Sequence, residues 1–208
     1  LAMRESSFEL FAPVLQHLSQ QLGNHAHLNV HAKEEMSFDA LVRGQVDFLL
    51  LPHDLSQPPT QNKDLVWQTI LKDEMVCLMG PSNPLSKQPL SIESYLCARH
   101  IGIHDKDLSQ PYFEQNLTQR HSKRNMAMRV ADFGSAAVMC QHSDYLFTCS
   151  KLWARAAMQA KGLVEQSLPF DYGQVAYSLV WNKASLNDPA LKWLQKQLLD
   201  ACAMLDAC

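Results

Sequence analysis

The sequence of 208 residues contains no apolar run long enough to cross a bilayer. No signal peptide is visible, and both absences point to a cytoplasmic chain without membrane contact. It also lacks positive charge. Lys and Arg number 18 against 21 Asp and Glu, a formal net charge of −3, which argues against nucleic-acid binding by bulk electrostatics. Its nearest approach to a basic patch, Arg120-His121-Ser122-Lys123-Arg124, has no interleaved aromatics and reads as a solvated loop. Six cysteines stand at 77, 97, 140, 149, 202 and 208, and none forms C-x-x-C or has a His at zinc-finger spacing. They read as small core residues of a cytosolic protein. A redox pairing of Cys140 with Cys149 is the minor alternative, because buried thiols are usually inert.

The motifs of catalysis are missing too. There is no G-x-S-x-G, no H-E-x-x-H, no phosphate loop and no dinucleotide fingerprint. Asp132-Phe133-Gly134 matches a kinase tripeptide but stands without the glycine-rich loop, strand lysine or H-R-D segment. His25, His27 and His31 have no cysteine nearby and no carboxylate at a matching offset before Glu34, so they read as a solvent-facing cluster. Neither metal, cofactor nor catalytic residue is assigned, and no enzyme is expected. Internal repeats and low-complexity segments are also absent.

What is present is organised around Leu41-Val42-Arg43-Gly44-Gln45-Val46-Asp47-Phe48-Leu49-Leu50-Leu51. It reads as a helix end, a turn and a buried strand. Gly44 sits where a left-handed cap is wanted. Residues 46–51 form an apolar run expected of a strand covered on both faces, ended by Pro52. A helix feeding such a strand implies a parallel α/β sheet.

The flanking pattern extends that class. A strand at the start leads to a helix with Phe8, Phe11, Val14, Leu15, Leu18 and Leu22 on one face, capped by Ser6 or Ser7. A strand over 27–33 and a short helix capped by Ser37 complete the first repeat of the pattern. Residues 53–62 read as a loop. Two strands, 65–71 and 75–79, are expected to meet at a tight turn, Lys72-Asp73-Glu74. Gly80-Pro81-Ser82-Asn83-Pro84 is the strongest breaker. Beyond it come helices at 91–96, 111–120 (Pro111 first), 133–140 (Asp132 cap) and 151–160 (Ser150 cap). Strands at 100–103, 127–130, 145–149 and 163–168 alternate with them. Pro169 opens a second break, a strand at 175–181 follows, and Asp188-Pro189 starts the last helix. Trp153, Trp181 and Trp193 fall on apolar faces and read as core or interface.

These breaks divide the chain into residues 1–80 plus 170–208 and residues 81–169: two Rossmann-like subdomains joined by two crossover strands. Ligands of such sheets sit at strand carboxyl ends, beside helix N-termini. Those ends carry Glu5-Ser6-Ser7, Glu35-Met36-Ser37, His104-Asp105, Asp132-Phe133 and Cys149-Ser150. Serine-capped helix starts favour an anion or polar acceptor, and Met36 and Phe133 supply an apolar wall. A cap needs no ligand, so for each serine alone the structural reading is the stronger. His104 faces the cleft and is suited to titrate or donate there; His100 reads as structural.

Leu41, Gly44 and Asp47 form L-x-x-G-x-x-D, which resembles the effector-binding region of LysR-type transcriptional regulators. Lys72-Asp73-Glu74-Met75-Val76, Asn83-Pro84-Leu85, Leu168-Pro169 and Asp188-Pro189-Ala190 with Trp193-Leu194 follow in the family's order. The K-D-E-M run and Ser109-Gln110-Pro111-Tyr112 look most like the branch containing NodD, NahR and LeuO. The resemblance covers essentially the whole chain. It implies a periplasmic-binding-protein type II-like fold, with a winged helix-turn-helix expected upstream and DNA contacted only through it. It further implies homodimers pairing into homotetramers, packed through residues 7–22 of one subunit and 133–140 of another. A small-molecule effector, an aromatic or amphipathic carboxylate by the branch, would bind the interdomain cleft and shift that geometry. By family position Ser6, Ser7, Met36, Ser37, Asp132 and Phe133 line the cleft; His104 and Cys149 are added from their strand ends. The chain departs from the family at Cys149-Ser150, where Leu-Pro is common, and at Gln141-His142-Ser143-Asp144, where Gly-x-Gly is common. A periplasmic-type solute-binding protein is the alternative, disfavoured by the missing signal peptide and the unpatterned cysteines.

Overall fold

The computed structural model describes residues 1–24, 26–33, 36, 38–55, 62–104 and 112–205. Two compact units are formed, Leu1–Lys72 with Val175–Cys208, and Asp73–Gln174. Among the described residues no helix is long and apolar enough to cross a membrane.

Unit 1 contains β1 (Ala2–Met3), α1 (Glu5–Leu22), β2 (His31–Ala32), α2 (Phe38–Val42), β3 (Phe48–Asp54) and the first part of β4 (Leu65–Met79). Strand β9 (Gln174–Asn182) and helix α7 (Pro189–Leu205) return to it. Its strand order is β2-β1-β3-β9-β4. β1 pairs parallel with β2 and β3, and β3 runs antiparallel to β9. The Leu41–Leu51 stretch folds as its pattern dictates. Gly44 takes φ 69°, which only glycine adopts without strain, and the Gln45 amide donates back to Ala40 O at 2.9 Å. Leu41, Val46, Leu49 and Leu51 then join Ala2, Leu65 and Val180 in one core. Pro52 does not end the strand, which runs on to Asp54. β1 reaches only Leu49 and Leu50, so β3 has an open side at Pro52, where a missing N–H is tolerated. The strand expected over 27–33 shrinks to His31–Ala32, the reach of its only partner, two-residue β1.

Unit 2 contains the rest of β4, α3 (Ile92–Cys97), β5 (Arg99–Ile103), α4 (Tyr112–Arg120), β6 (Asn125–Val130), α5 (Phe133–Gln141), β7 (Leu146–Ser150), α6 (Lys151–Lys161) and β8 (Val164–Ser167). Its order is β4-β7-β5-β6, with β8 on β4. β5 is parallel to β6 and β7, while β4 is antiparallel to β7 and β8. Its core joins Val76, Leu78, Ile101, Phe147 and Cys149 of the sheet to Ala136, Ala137, Cys140, Trp153 and Ala157 of α5 and α6. A Cβ on Gly80 would stand 2.5 Å from the Cys140 carbonyl oxygen, so that close approach requires glycine.

Two expectations are corrected here. Lys72-Asp73-Glu74 makes no turn; Leu65–Met79 is one 15-residue strand. Leu71 and Asp73 are buried while Lys72 and Glu74 are exposed, so the run keeps the two-residue alternation of a strand. The changeovers accordingly fall at 72/73, within that strand, and at 174/175, not at 80/81 and 169/170. Gly80–Pro84 instead bends the chain inside unit 2, where Asn83 accepts from the Leu85 amide and donates to the Asp144 carbonyl.

Behind the unit 2 sheet lies a buried cation. The Arg124 guanidinium donates to Tyr95 Oη at 3.0 Å and Thr148 Oγ1 at 2.9 Å, and pairs with Glu114. Its face lies 4.7 Å from the Phe113 ring centre. His100 Nε2 donates to the Tyr95 carbonyl at 2.6 Å, and burial, with Arg124 beside it, pushes the imidazole down to about 3, so it is neutral at pH 7. His100 is structural, as its position suggested. Cys77, Cys140, Cys149 and Cys202 are buried and Cys97 is exposed, while Cys208 lies outside the described residues.

Glu114→Gln is expected to lower the unfolding free energy by about 3 kcal/mol, because it leaves Arg124 charged without its counter-ion. Urea unfolding followed by circular dichroism measures this. A loss under about 1 kcal/mol would mean that the neutral partners alone suffice for the guanidinium.

Candidate functional site

In unit 1, parallel β2, β1 and β3 bring their carboxyl ends to one edge. That edge carries Ser6 and Ser7 after β1 and Met36 after β2; Ser37 lies outside the described residues. Neither Ser6 nor Ser7 caps α1. The helix begins at Glu5, and Arg4, in the cap position, gives it no side-chain capping hydrogen bond. Ser6 and Ser7 occupy the first turn with their side chains buried, and Ser7 Oγ has no hydrogen-bond partner among the described residues. Met36 is half-buried against the unit 1 core beside Phe38 and Trp67.

A group that sequence reading passed over stands at the end of β3. His53 Nε2 lies 2.8 Å from Ser178 Oγ, and its ring meets Trp67 edge-on at 5.5 Å. Phe38 packs on Trp67 at 5.6 Å, and Lys33 Nζ stands 5.7 Å over the Phe38 ring. Apart from Lys33, which follows β2, these residues come from β3, β4, β9 and α2, so no local spacing announces them.

In unit 2 the carboxyl ends of β5, β6 and β7 share one edge. His104 is exposed there, its amide bonded to Val130 O at 2.8 Å. Asp132 caps α5: Oδ1 accepts from the Ser135 amide at 2.6 Å and Oδ2 from the Ser135 hydroxyl at 2.9 Å. Phe133 sits edge-on to Phe147 (5.2 Å) and Trp153 (5.1 Å), closing the core at that edge. The Cys149 thiol is different. It is 1% exposed, inside the core, and burial pushes it well above the ordinary thiol range. Its side chain is withdrawn from the edge because it alternates inward on β7. Cys140 is pushed up to about 12 by burial, so both remain thiols, which disfavours redox pairing.

Ser150 does not cap α6 with its side chain. Asp73 does so from β4: its Oδ2 accepts from the Leu152 amide at 3.1 Å and its Oδ1 from the Glu74 amide at 2.7 Å. Burial raises this carboxyl above its ordinary value, while the two amides and the Ser150 hydroxyl pull it down. The uninterrupted alternation through 71–75 is the signal that would have placed Asp73 on a strand.

A family model described as the LysR substrate binding domain matches residues 2–203. The chain is 22% identical to the HTH-type transcriptional activator NahR of Pseudomonas putida over 96% of its own length and 65% of NahR's, so it spans just under two thirds of that relative. Among solved structures, a putative transcriptional regulator from Vibrio parahaemolyticus superposes with a TM-score of 0.81 at 22% identity, covering 99% of this chain and 93% of that one. The effector binding domain of QuiR in complex with shikimate superposes at 0.74 with 12% identity, covering 96% and 93%. The two-subdomain α/β fold is thus that of LysR effector-binding domains.

Between the ordinary carboxylate value and the raised one, the folded chain holds the Asp73 proton more tightly than the unfolded chain. Ionised Asp73 therefore costs stability at neutral pH, and that cost fades as pH falls through the raised value. Asp73→Asn is expected to melt higher than the parent at pH 7, with the gap closing in acid. Calorimetric melts across pH check this; a gap independent of pH would contradict it.

Proposed function

The chain belongs to the LysR substrate-binding domain family, and from that membership we propose that it is the effector-sensing part of a cytoplasmic, DNA-binding transcriptional regulator. DNA contact belongs to a helix-turn-helix segment outside these residues, a division supported by NahR being an HTH-type activator. The relatives' being regulators also favours this reading over a solute-binding protein.

One observation carries the sensing role. The start of α1 has no side-chain cap, and Ser7 Oγ is buried there without a partner among the described residues. Aligned peptide dipoles make such a start receptive to a carboxylate, to which the Ser7 hydroxyl can donate. The QuiR domain of this fold holds shikimate, itself a small carboxylate. Ser6, Ser7, Met36 and Ser37, with His53 and Trp67, are the proposed effector residues at the edge of unit 1, and Asp132, Phe133 and His104 those at the edge of unit 2. No reaction is proposed: Ser178, though bonded to His53, is 1% exposed in the middle of β9.

The chain is proposed to act as a homodimer that pairs into homotetramers. Phe8 of α1 and Val30 are 49% and 37% exposed, and Val138 on α5 is 41% exposed. Hollows of about 440 and 390 Å³ flank Phe8 and Val30. Burying such faces between copies removes apolar area from water. An effector favouring one arrangement of the copies shifts their population toward it.

Ser7→Ala is expected to weaken binding of a carboxylate found by thermal shift, starting from shikimate and benzoate, by about tenfold, with the far-ultraviolet spectrum unchanged. Calorimetry giving the parent affinity would remove α1 from the site. Phe8→Glu is expected to move the chain toward monomer in sedimentation; an unchanged distribution would remove α1 from the interface.

A further inference from the structure

A serine stands where β9 would be expected to bury an apolar side chain. β9 lies between β3 and β4 in the sheet of unit 1, and Ser178 sits in mid-strand at 1% exposure. Its cross-strand partner on β3 is Leu51, and His53 lies two residues on, so His53 and Ser178 are diagonal neighbours on one face of the sheet. On that same face Leu49, Leu51 and Val180 enter the core of unit 1. A buried hydroxyl there costs stability unless it is paired. Ser178 is paired on both sides. His53 Nε2 stands 2.8 Å from its Oγ, and Oγ1 of Thr69, on β4, stands 3.4 Å from it. The row Thr69, Ser178, His53 thus crosses three strands and ends at the carboxyl end of β3.

The row has one consistent direction. At its end His53 Nδ1 faces the Asp54 carbonyl oxygen at 3.4 Å, an atom that only accepts. The proton of neutral His53 therefore sits on Nδ1, Nε2 is the acceptor, and the Ser178 hydroxyl donates to it. The opposite assignment sets two lone pairs against each other at Nδ1. A contact of 3.4 Å is longer than the usual N–H···O bond, so the Nδ1–H remains open to a better acceptor. Elsewhere the ring is held, by Ser178 at Nε2 and by Trp67 edge-on at 5.5 Å. Trp67 adds a donor and no acceptor to the group: its indole N–H is buried without a partner among the described residues. His53 itself is half-buried, so one donor is presented with its direction fixed from behind.

Resting on the effector reading above, we propose that His53 recognises an uncharged acceptor oxygen of the effector through Nδ1–H, and that Ser178 is the positioning residue that holds the imidazole in this form. A carbonyl or ether oxygen meets the group; a methyl or methylene in its place leaves the donor unpaired and is rejected.

The test begins without a ligand. Long-range proton–nitrogen spectra of the chain at about pH 8, above the ordinary imidazole range, separate the two neutral forms, and His53 is assigned by the signal missing from His53→Phe. The Nδ1–H form is expected in the parent, and a larger share of the Nε2–H form in Ser178→Ala. An Nε2–H parent, or a tautomer ratio unmoved in Ser178→Ala, overturns the proposal and leaves the effector reading untouched. Affinities are then measured by calorimetry for acetylbenzoates and isopropylbenzoates substituted at each ring position, twins in shape of which only the first carries the acceptor oxygen. The tightest acetylbenzoate is expected to exceed its twin by about tenfold. His53→Phe and Ser178→Ala, checked for an unchanged far-ultraviolet spectrum, are each expected to narrow that ratio to within about threefold while isopropylbenzoate affinity stays. Twins of equal affinity, or a preference that survives His53→Phe, overturn the proposal, while their binding still supports the effector reading. If none of these carboxylates binds, the effector reading falls and the proposal with it.

Discussion

A single uninterrupted strand, Leu65–Met79, gives its first part to the sheet of unit 1 and its last to the sheet of unit 2. A strand in that position must carry polar residues in mid-run, because its middle belongs to neither core. Lys72-Asp73-Glu74 meets the requirement by alternation: Lys72 and Glu74 point to solvent, while Asp73 turns inward and must find partners. It finds the amides of Glu74 and Leu152. The cost of burying that carboxylate is visible in its raised pKa. The return is that the start of α6, which Ser150 leaves without a side-chain cap, is satisfied by a residue from another strand.

Unit 2 solves the same problem a second time with the opposite sign. Arg124 is buried behind the sheet, and three elements supply its partners: Tyr95 from α3, Glu114 from α4 and Thr148 from β7. A guanidinium suits this role because its planar fork can bond in several directions while its face stacks on Phe113. His100, bonded to the Tyr95 carbonyl beside that charge, cannot take a proton at neutral pH, so the cluster keeps one positive and one negative member. Helices α3 and α4 are thereby fixed relative to β7, which ends at Ser150 on the carboxyl edge of the sheet.

Features set by neighbours in the chain were legible in the sequence. Gly44 ends α2 through its own φ, Asp132 caps the helix it precedes, and Asp188 does the same for α7. Where the partner is distant, local reading failed. Local pattern puts Asp73 in a turn, because its partner Leu152 lies 79 positions away in sequence. Residue type makes caps of Ser6 and Ser7, but β1 is so short that the helix starts before them, at Glu5. Position at a strand end puts Cys149 at the edge, whereas the pleat of β7 turns its side chain into the core. The His53, Trp67 and Ser178 group could not be foreseen at all, since β3, β4 and β9 meet only through the sheet order.

This separation between local and distant partners bears on how a ligand edge is recognised. Every helix start offers amides and a positive dipole end, so the offer itself distinguishes nothing. What distinguishes one start from another is whether the fold has already answered it. At α5 the answer is local, from Asp132; at α6 it is distant, from Asp73. At α1 the cap residue gives no side-chain capping hydrogen bond, and the buried Ser7 hydroxyl has no partner among the described residues. An unpaired buried hydroxyl is costly unless something else pairs with it. Two helix starts of unit 2 are thus met by carboxylates of the chain itself, one from the preceding residue and one from another strand.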